Sequence, residues 1–368
     1  MRAIINSICD EGINAEQRYI ISSEEYRNSD TFLKRIRLRF RMYVEYPIRL
    51  AWFCLTDKAP RICIVTTNTF YAPLIAVLFS NKKQKVIHLV WDLYPEAILQ
   101  NRINFFYKIA SKIIRSIIYK TFTSAHTNVF LGKRLLNYAK IKYGNIENSV
   151  IIPVGADAKI FSENSPINLQ NSTSKIEILY SGNLGAMHET ETFITSLEYA
   201  CSKNNYFPNL NISFNSSGKR HQILKERCKK LDSQIGDLIN FGASMNENDW
   251  LTKMRSSHVA LVTLKNGAEN IVMPSKTYSA LAAGQAILAI CPFDSDLADL
   301  IINENCGWVV SPNDIEGFLQ ILNEIQFSPI LVQTKRENAF RAGQTKFSNT
   351  GVAKSWIQLI RAVDNIEN

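Results

Sequence analysis

Short apolar runs alternate along the chain with longer segments whose apolar residues recur at helical spacing. The short runs predict strands at Ile62–Thr66, Val86–Val90, Val150–Ile152, Ile176–Tyr180, Asn211–Phe214, Val259–Leu264 and Ala286–Ala289. Strands separated by helices favour parallel sheets, because a helix carries the chain back to the start of a neighbouring parallel strand. We therefore expect an α/β fold with helices on both faces of each sheet.

The chain has 368 residues, which is enough for two domains at about 150 residues per domain. A polar run, SENSPINLQNSTSK, lies between the third and fourth predicted strands and contains a proline. Such a run is typical of a linker. We expect a first domain at residues 1–160, a linker at 161–175, a second domain at 176–350 and a C-terminal helix within 351–368.

The composition excludes several classes of protein. Hydrophobic residues make up 46% of the chain and charged residues 20%, which fits a folded globular protein. The seven cysteines are scattered and form no CxxC pair, so we expect free thiols in a reducing compartment. Asp10 interrupts the N-terminus before a signal-peptide core can form, and no apolar run reaches the length of a spanning helix. We therefore expect a cytoplasmic protein.

Positive charge is concentrated in the first half. Residues 1–155 contain 23 Lys+Arg and 11 Asp+Glu, whereas residues 156–368 contain 19 and 22. Two basic segments of the first half, Phe32–Phe53 and Arg102–Lys120, also carry large apolar residues at helical spacing, although part of Phe32–Phe53 alternates as a strand would. Such segments can lie on an anionic membrane, or they can be core helices with a solvated basic face. No nucleic-acid-binding motif is present, so we do not expect a nucleic-acid partner.

Two loops of the second half carry candidate chemistry. In YSGNLGAMHETETF, a strand ends at Tyr180 and a helix begins near Glu189, with Gly182 and Gly185 between them. Glycines allow close backbone approach, and the unpaired amides of a helix start attract anions, so this loop can hold a diphosphate. His188 lies at its mouth, where it is either a donor to phosphate or a sugar hydroxyl, or an ordinary exposed helix-start residue. The pattern is not GxGxxG, so no dinucleotide fingerprint is present.

The second loop, NGAENIVMPSKTYSALAAGQAILAI, follows the strand that ends at Leu264. Pro274 interrupts the chain, and Ser275, Lys276 and Thr277 precede or open a helix. A cation at a helix N-terminus is unfavourable unless an anion binds beside it, so Lys276 indicates a bound phosphate. The alternative is a solvated lysine on a turn.

The motifs SGNLGAMHETET, MPSKTYSALAAGQAILAI and ENCGWVVSPND resemble those of retaining, nucleotide-sugar-dependent glycosyltransferases of family 4. Among these they are similar to bacterial polysaccharide enzymes of the amino-sugar (L-fucosamine) type. TTNTFYAPLIAVLF, VWDLYPE and VIIPVGADAKIF extend the resemblance over roughly residues 40–360. The resemblance implies the GT-B architecture, in which two Rossmann-like domains face a cleft and the last helix, at about Val352–Asp364, crosses back to the first domain.

The resemblance also implies roles for individual residues. The residues implied to line the donor are Gly182, Asn183, Gly185, His188, Pro274, Ser275, Lys276, Thr277 and Tyr278. Asp92 matches the acidic position that faces the acceptor and would orient or deprotonate the acceptor hydroxyl, with Glu96 as second choice. The alternative for Asp92 is a helix cap before Pro95. No metal or other cofactor is expected, because a helix N-terminus and a cation offset the charge of the leaving diphosphate.

The chain departs from the family pattern at two places. Many members carry two glutamates eight residues apart, where this chain has Ile271 and Ser279. A ribose contact and a contact to the donor sugar are thereby lost, although Glu269 lies close enough in sequence to replace the latter. In addition, the expected first strand, AIINSICDEGIN, lacks the glycine-rich turn that usually follows it.

The function expected from the resemblance is transfer of a hexose or N-acetylhexosamine from a nucleoside-diphosphate sugar, with UDP as the expected nucleotide. The expected acceptor is a polyprenyl-diphosphate-linked saccharide at the inner membrane, in the assembly of O-antigen, capsule or exopolysaccharide. The enzyme would associate peripherally with that anionic surface through its basic first half. Two alternatives are a catalytically silent GT-B module that binds a sugar nucleotide or a membrane partner, and a sugar-nucleotide epimerase.

Overall fold

The computed structural model describes residues 2–18, 21, 25, 31–67, 69–99, 105–144, 146–161 and 175–364. The chain divides into two compact units. Unit 1 comprises residues 1–153 and 353–368, and unit 2 comprises residues 154–352. Most of the predicted linker, residues 162–174, lies outside the described residues.

The sheet of unit 1 has four parallel strands in the order β1-β2-β3-β4. These are β1 (Arg61–Thr66), β2 (Gln84–Val90), β3 (Thr127–Phe130) and β4 (Ser149–Ile151). All seven residues of β2 are buried, as expected for a strand covered on both faces. The parallel arrangement brings the carboxyl ends of the strands to one edge of the sheet.

The helices of unit 1 cover both faces of this sheet. They are α1 (Arg2–Asp10), α2 (Phe32–Phe40), α3 (Tyr46–Thr56), α4 (Ala72–Phe79), α5 (Glu96–Leu99), α6 (Phe105–Ser124) and α7 (Lys133–Tyr143). A π-helical turn, Arg41–Glu45, joins α2 to α3. One core cluster includes Val65, Val86 and Cys54, and another includes Ile118, Phe122 and Phe130.

The expected first strand is wrong, because residues 2–10 form the helix α1. Ile4 and Ile8 are both buried, and their four-residue spacing places them on one helical face. The basic segment beginning at Phe32 is also helical rather than extended.

The second basic segment corresponds largely to α6. Residues 102–104 of the segment and the side chains of 105–107 lie outside the described residues. Ile114 and Ile118 are buried in the core of unit 1, while Ile113 is exposed. Among the described residues of this stripe, Ile114 and Ile118 therefore pack inward, as the core-helix alternative predicts.

The sheet of unit 2 has six parallel strands in the order β10-β9-β8-β5-β6-β7. They are β5 (Ile176–Asn183), β6 (Leu210–Ser217), β7 (Ile239–Gly242), β8 (Val259–Thr263), β9 (Ala286–Ile290) and β10 (Gly307–Val310). The chain order reverses between β5 and β8, which are neighbours in the middle of the sheet. In open α/β sheets, ligands bind at the carboxyl ends of the strands beside such a reversal.

Nine α-helices lie wholly or partly in unit 2, within the part of the chain that the structure describes. They are α8 (Glu191–Ser202), α9 (Lys219–Cys228), α10 (Ser233–Gly236), α11 (Glu247–Ser256), α12 (Lys276–Ala282), α13 (Asp296–Asn303), α14 (Ile315–Phe327), α15 (Pro329–Gln344) and α16 (Asn349–Asp364). Residues of α16 from Ala353 onward belong to unit 1, where Lys85 of β2 donates a 2.8 Å hydrogen bond to the Val363 carbonyl. Two core clusters fill unit 2.

The predicted α/β class is confirmed, and each of the seven predicted strands is present. The short strand that the sequence ENCGWVVSPND favours is β10, whereas the pattern missed β3 and β7, whose apolar content is too small to stand out from their surroundings. None of the helices in the described ranges has the length and apolar character that crossing a bilayer requires.

Candidate functional site

The carboxyl end of β5 forms the first wall of the candidate site. The strand continues to Asn183, three residues beyond the end predicted at Tyr180, and α8 begins at Glu191. Gly182 has a φ of +114°, a conformation that L side chains rarely adopt, so the chain can turn there only because the residue is glycine. The glycine leaves the backbone exposed at the strand end.

Asn183 packs against a second glycine that the sequence analysis did not single out. Gly218 follows β6 and has a φ of +102°. A Cβ atom at this position would lie 2.5 Å from Asn183 Oδ1 and 2.9 Å from the Leu184 carbonyl oxygen. The two loops therefore approach closely only because residue 218 has no side chain. The SSGK sequence at the end of β6 offered a signal for such a turn.

Lys276, the first residue of α12, reaches back to β5. Its ammonium donates a 2.6 Å hydrogen bond to the Tyr180 hydroxyl and lies 3.8 Å from the centroid of that ring. A Cβ atom on Gly182 would lie 3.8 Å from Lys276 Nζ, so the ammonium is close to the exposed backbone of the turn. The Tyr180 hydroxyl in turn donates to the Asn183 carbonyl at 3.2 Å. The structure thus brings together two loops that are almost a hundred residues apart in sequence.

Burial lowers the pKa of Lys276 to about 7. The cause is desolvation, which disfavours the charged ammonium. In the described part of the chain, no carboxylate forms an ion pair with this lysine. An anion that binds here would therefore favour the protonated form.

His188 lies beside Lys276 and has a defined tautomer. Its Nδ1 is 3.0 Å from the Thr263 carbonyl, which can only accept, so Nδ1 carries the proton and Nε2 has a free lone pair. Burial, together with the charges of Lys276 and Arg220, lowers the pKa of His188 to about 4. The imidazole is therefore neutral near pH 7, and its Nε2 can accept a hydrogen bond but not donate one. This corrects the expectation that His188 donates to phosphate or to a sugar hydroxyl.

Arg220 is a second cation at the site, and the sequence analysis missed it. It lies near the start of α9 and donates to the His188 carbonyl at 2.9 Å. Among the described residues Arg220 forms no ion pair with a carboxylate. In the same part of the chain, no group of three or more His, Cys, Asp or Glu side chains is arranged to hold a metal ion. Arg220 and Lys276 therefore give the carboxyl edge of this sheet a positive charge.

The other residues around Lys276 differ in exposure. Ser275 is exposed and precedes α12, whereas Pro274 is buried. Thr277 and Tyr278 are fully or almost fully buried; Tyr278 packs against Phe347 at a ring distance of 5.5 Å. The Thr277 hydroxyl is also buried and has no hydrogen-bond partner among the described atoms. Of these four, only Ser275 presents its side chain to solvent.

The two residues that depart from the family pattern lie in α12 and in the loop before it. Ile271 is buried, and Ser279 is half-buried within α12. Both carboxylate oxygens of Glu269 accept hydrogen bonds from its own loop, one from the Gly267 amide at 2.6 Å and one from Asn270 Nδ2 at 3.2 Å. In this structure Glu269 therefore stabilises the loop that contains it.

Asp92 lies in unit 1, two residues after the end of β2. Its amide and that of Trp91 both donate to the Thr67 hydroxyl, at 3.3 and 3.0 Å. Its carboxylate accepts no hydrogen bond from the described residues, so it does not cap α5, which begins at Glu96. Burial raises the pKa of Asp92 above its usual range. A raised pKa makes a carboxylate a stronger base.

Glu96 has a different environment. One carboxylate oxygen pairs with Arg115 of α6 at 3.4 Å, and the other is buried without a hydrogen-bond partner among the described residues. Glu96 is therefore tied to a neighbouring helix, whereas Asp92 is held, among the described residues, through its backbone amide.

The chain is similar in sequence to a probable glycosyltransferase. No protein-family model matches the chain. A probable glycosyltransferase of Pseudomonas aeruginosa, WbjE, is 25% identical over 284 residues, which is 74% of this chain and 68% of that protein.

Two solved structures share the fold over most of their length. HepE from Anabaena, in complex with UDP, has a TM-score of 0.64 and 11% identity, with 86% of this chain and 82% of that chain covered. WaaG, a glycosyltransferase involved in lipopolysaccharide biosynthesis, has a TM-score of 0.60 and 14% identity, with 98% and 94% covered. The fold is that of the GT-B glycosyltransferases, and the resemblance to GT-B glycosyltransferases drawn from the sequence motifs is confirmed.

Proposed function

We propose that the protein is a retaining, family 4-like glycosyltransferase that uses a nucleoside-diphosphate sugar. The observation that carries the proposal is the position of Lys276. This partly buried cation has no carboxylate partner among the described residues and lies against the exposed backbone of Gly182 at a sheet reversal. A site of this kind favours an anion with several oxygens, such as a diphosphate.

The donor diphosphate would lie between the β5 and α12 loops. Lys276 would contact its oxygens, and Arg220 would add charge from the α9 side. The exposed backbone at Gly182, Asn183 and Gly185, together with the Ser275 hydroxyl, would supply neutral hydrogen bonds. Nε2 of His188 would accept a hydrogen bond from a sugar hydroxyl, because its neutral tautomer leaves that nitrogen unprotonated.

The transfer step would place negative charge on the leaving diphosphate. Two cations offset that charge without a metal ion, so we propose that the chemistry is metal-independent. Lys276 contributes most when protonated, and binding of the anion restores its proton. With Ile271 and Ser279 at the usual glutamate positions, the ribose and sugar contacts would come from other groups of this loop.

Asp92 would act on the acceptor. Its carboxylate has no hydrogen bond from the described residues and a raised pKa, which suit a group that orients or deprotonates an attacking hydroxyl. Glu96 is the second choice, since its pairing with Arg115 leaves it less free to act.

We further propose that the acceptor is a polyprenyl-diphosphate-linked saccharide in the assembly of a bacterial surface polysaccharide. The likeness to WaaG, which is involved in lipopolysaccharide biosynthesis, supports this pathway class, and the UDP bound to HepE supports a UDP-sugar donor. The excess of positive charge in residues 1–155 supports peripheral association with an anionic membrane.

The test is a thermal-shift panel of nucleoside diphosphates and of UDP-, GDP- and ADP-sugars, with and without EDTA. A ligand that binds only the native state raises the melting temperature. We expect a shift with one nucleotide that EDTA does not change, and its loss in Lys276→Ala. A cooperative melt with no shift for any nucleotide contradicts the proposal.

Activity assays with labelled donor then separate the alternatives. Lys276→Ala is expected to reduce turnover far more than it reduces folding stability. A donor that is bound but not consumed would indicate the catalytically silent module. Conversion of the donor with no acceptor present would indicate an epimerase.

A further inference from the structure

The helical segment from Phe32 to Thr56 carries an apolar stripe that is largely exposed in the described chain. Its members follow one another at intervals of three or four residues, and all are between 40% and 77% exposed: Leu33, Ile36, Phe40, Val44, Ile48, Trp52 and Leu55. The segment buries a different set of residues, among them Leu38, Pro47 and Cys54. Core packing therefore accounts for one face of the segment and leaves the exposed stripe unexplained.

The π-helical turn keeps this stripe on one face. Four consecutive intervals between Ile36 and Trp52 are four residues long, and in an α-helix of 3.6 residues per turn such steps drift steadily around the axis. The turn Arg41–Glu45 is wider, because its hydrogen bonds join residues five apart. The wider turn offsets the drift at the middle of the stripe.

Basic residues accompany the stripe along its length. Residues 32–58 contain seven Lys or Arg and only two acidic residues, Glu45 and Asp57. Both acids are already paired, Glu45 with Arg41 and Arg49, and Asp57 with Arg61. Lys34, Arg37 and Arg39 are exposed and adjoin stripe residues in the sequence. The face is therefore both apolar and cationic.

The stripe ends at an apolar depression with a cationic rim. Leu55 lines this depression together with Leu78 and Phe79 from the end of α4. Its volume is about 570 Å³, and its lining also includes Lys58, Lys82 and Lys83, which are all exposed. An apolar floor with ammonium groups at the rim fits the acyl chain and phosphate of an anionic lipid.

We infer that unit 1 lies against an anionic membrane through this face. The face comprises the stripe from Leu33 to Leu55 and the depression lined by Lys58, Lys82 and Lys83. The inference rests on the proposed membrane association and specifies where it occurs. Amphipathic helices with basic residues beside the apolar face bind such surfaces by burying that face while the cations meet lipid phosphates. A second copy of the chain is a poorer partner, because pairing two such faces brings like charges together.

The first experiment is flotation of the full-length protein with phosphatidylcholine vesicles and with vesicles that also contain phosphatidylglycerol. We expect binding to the anionic vesicles and a loss of roughly tenfold or more in Ile48→Ser/Trp52→Ser. The matched control is Phe327→Ser/Ile330→Ser, which removes two equally exposed apolar side chains from unit 2 and is expected to bind normally. Equal losses in both variants, or none in either, overturn the assignment.

A second pair of variants tests the charges. Lys82→Gln/Lys83→Gln is expected to weaken binding to anionic vesicles, whereas Lys229→Gln/Lys230→Gln on unit 2 is not. Quenching of tryptophan fluorescence by brominated lipid should fall in Trp52→Phe, which stays apolar and so still binds. Unchanged quenching in that variant would place the membrane contact elsewhere.

Two further measurements keep this inference separate from the proposed function. The thermal shift with nucleotide is expected to be the same in Ile48→Ser/Trp52→Ser as in the unmodified protein, because the donor loops lie in unit 2. Loss of vesicle binding with a normal nucleotide shift therefore concerns the surface alone. A dimer in light scattering that Ile48→Ser/Trp52→Ser converts to a monomer would overturn the inference in favour of a second copy.

Discussion

The Lys276 ammonium donates its hydrogen bond to the Tyr180 hydroxyl while lying 3.8 Å from the centre of the same ring. Tyr180 is fully buried and is itself held by the Asn183 carbonyl. The tyrosine therefore fixes the cation above Gly182 without supplying a negative charge. A lysine held in this way is poised between its charged and neutral forms near neutral pH.

The stability of the protein should reveal this lysine through its pH dependence. Its pKa is about 7 in the folded state and near 10.4 in the unfolded state, so between these values the unfolded state binds more protons. The contribution of Lys276 to stability therefore rises from pH 7 to pH 10, and below pH 7 the full cost of burying the charge is present. We expect the free energy of unfolding of Lys276→Met, relative to the unmodified protein, to fall over this range in urea titrations. A constant difference would contradict the lowered pKa.

Nucleotide binding should take up a proton. Above pH 7 most Lys276 side chains are neutral in the free protein, and a bound diphosphate would raise their pKa. We expect uptake of close to one proton at pH 8, measured by calorimetry in two buffers with different ionisation enthalpies. Lys276→Arg should abolish the difference between buffers, because a guanidinium is already charged at pH 8, and His188→Asn should preserve it. Equal binding enthalpies in both buffers for the unmodified protein would contradict a charged Lys276 in the complex.

Tyr180→Phe tests the tyrosine as a positioning residue. The variant keeps the ring in the core and removes only the hydroxyl that accepts from the ammonium. The charged form of Lys276 is then less favourable, so the falling limb of the kcat/KM profile should move to lower pH. Lys276→Arg serves as the control, because a guanidinium stays charged and the limb should disappear. A uniform loss of activity with an unshifted profile would indicate a purely structural role.

The repeating pattern of apolar runs was sufficient to predict the parallel sheets, because buried central strands such as β8 and β9 are almost wholly apolar. The helix α1 was misjudged because Ile4, Ile5 and Ile8 also fit a short strand, and only packing decides between the two. The segment from Phe32 was ambiguous for a related reason, since exposed apolar residues blur the difference between helical and alternating patterns.

The site was predictable only in part. Lys276 and Gly182 were found because a lysine at a helix start and a glycine after a strand are local signals. The pairing of Lys276 with Tyr180 and the position of Arg220 are long-range contacts, so no spacing along the chain encodes them. The burial of Thr277 and Tyr278 was likewise decided by packing against α15 and the loop around Phe347 rather than by their sequence neighbours.

Gly218→Ala should disturb the donor loops from a position that the sequence analysis did not single out. The new Cβ atom would meet the side chain of Asn183 and the carbonyl of Leu184, and φ is unfavourable for alanine. We expect a loss of about 1–3 kcal/mol in unfolding free energy together with a smaller thermal shift with nucleotide. Gly144→Ala is the matched control, since its φ is also positive and no atom lies within 4 Å of the new Cβ. If both variants keep normal nucleotide binding, the contact between Gly218 and Asn183 does not serve the donor.

Asp92→Asn should separate acceptor chemistry from donor binding. The amide is nearly the same size as the carboxylic acid but cannot take a proton, so transfer should fall by about 10²-fold or more if Asp92 is the base. Burial raises the pKa of Asp92, which means that the charged carboxylate is disfavoured in the folded state. The neutral amide is therefore expected to leave the melting temperature unchanged or slightly higher, and the thermal shift with nucleotide should persist. In the unmodified enzyme, the rising limb of kcat/KM should lie above the usual range of an aspartate and should vanish in the variant.

Glu96→Gln is the comparison: its ion pair with the half-exposed Arg115 is of small energetic value, so only a modest effect is expected. A larger loss of transfer in Glu96→Gln than in Asp92→Asn would reverse the two assignments.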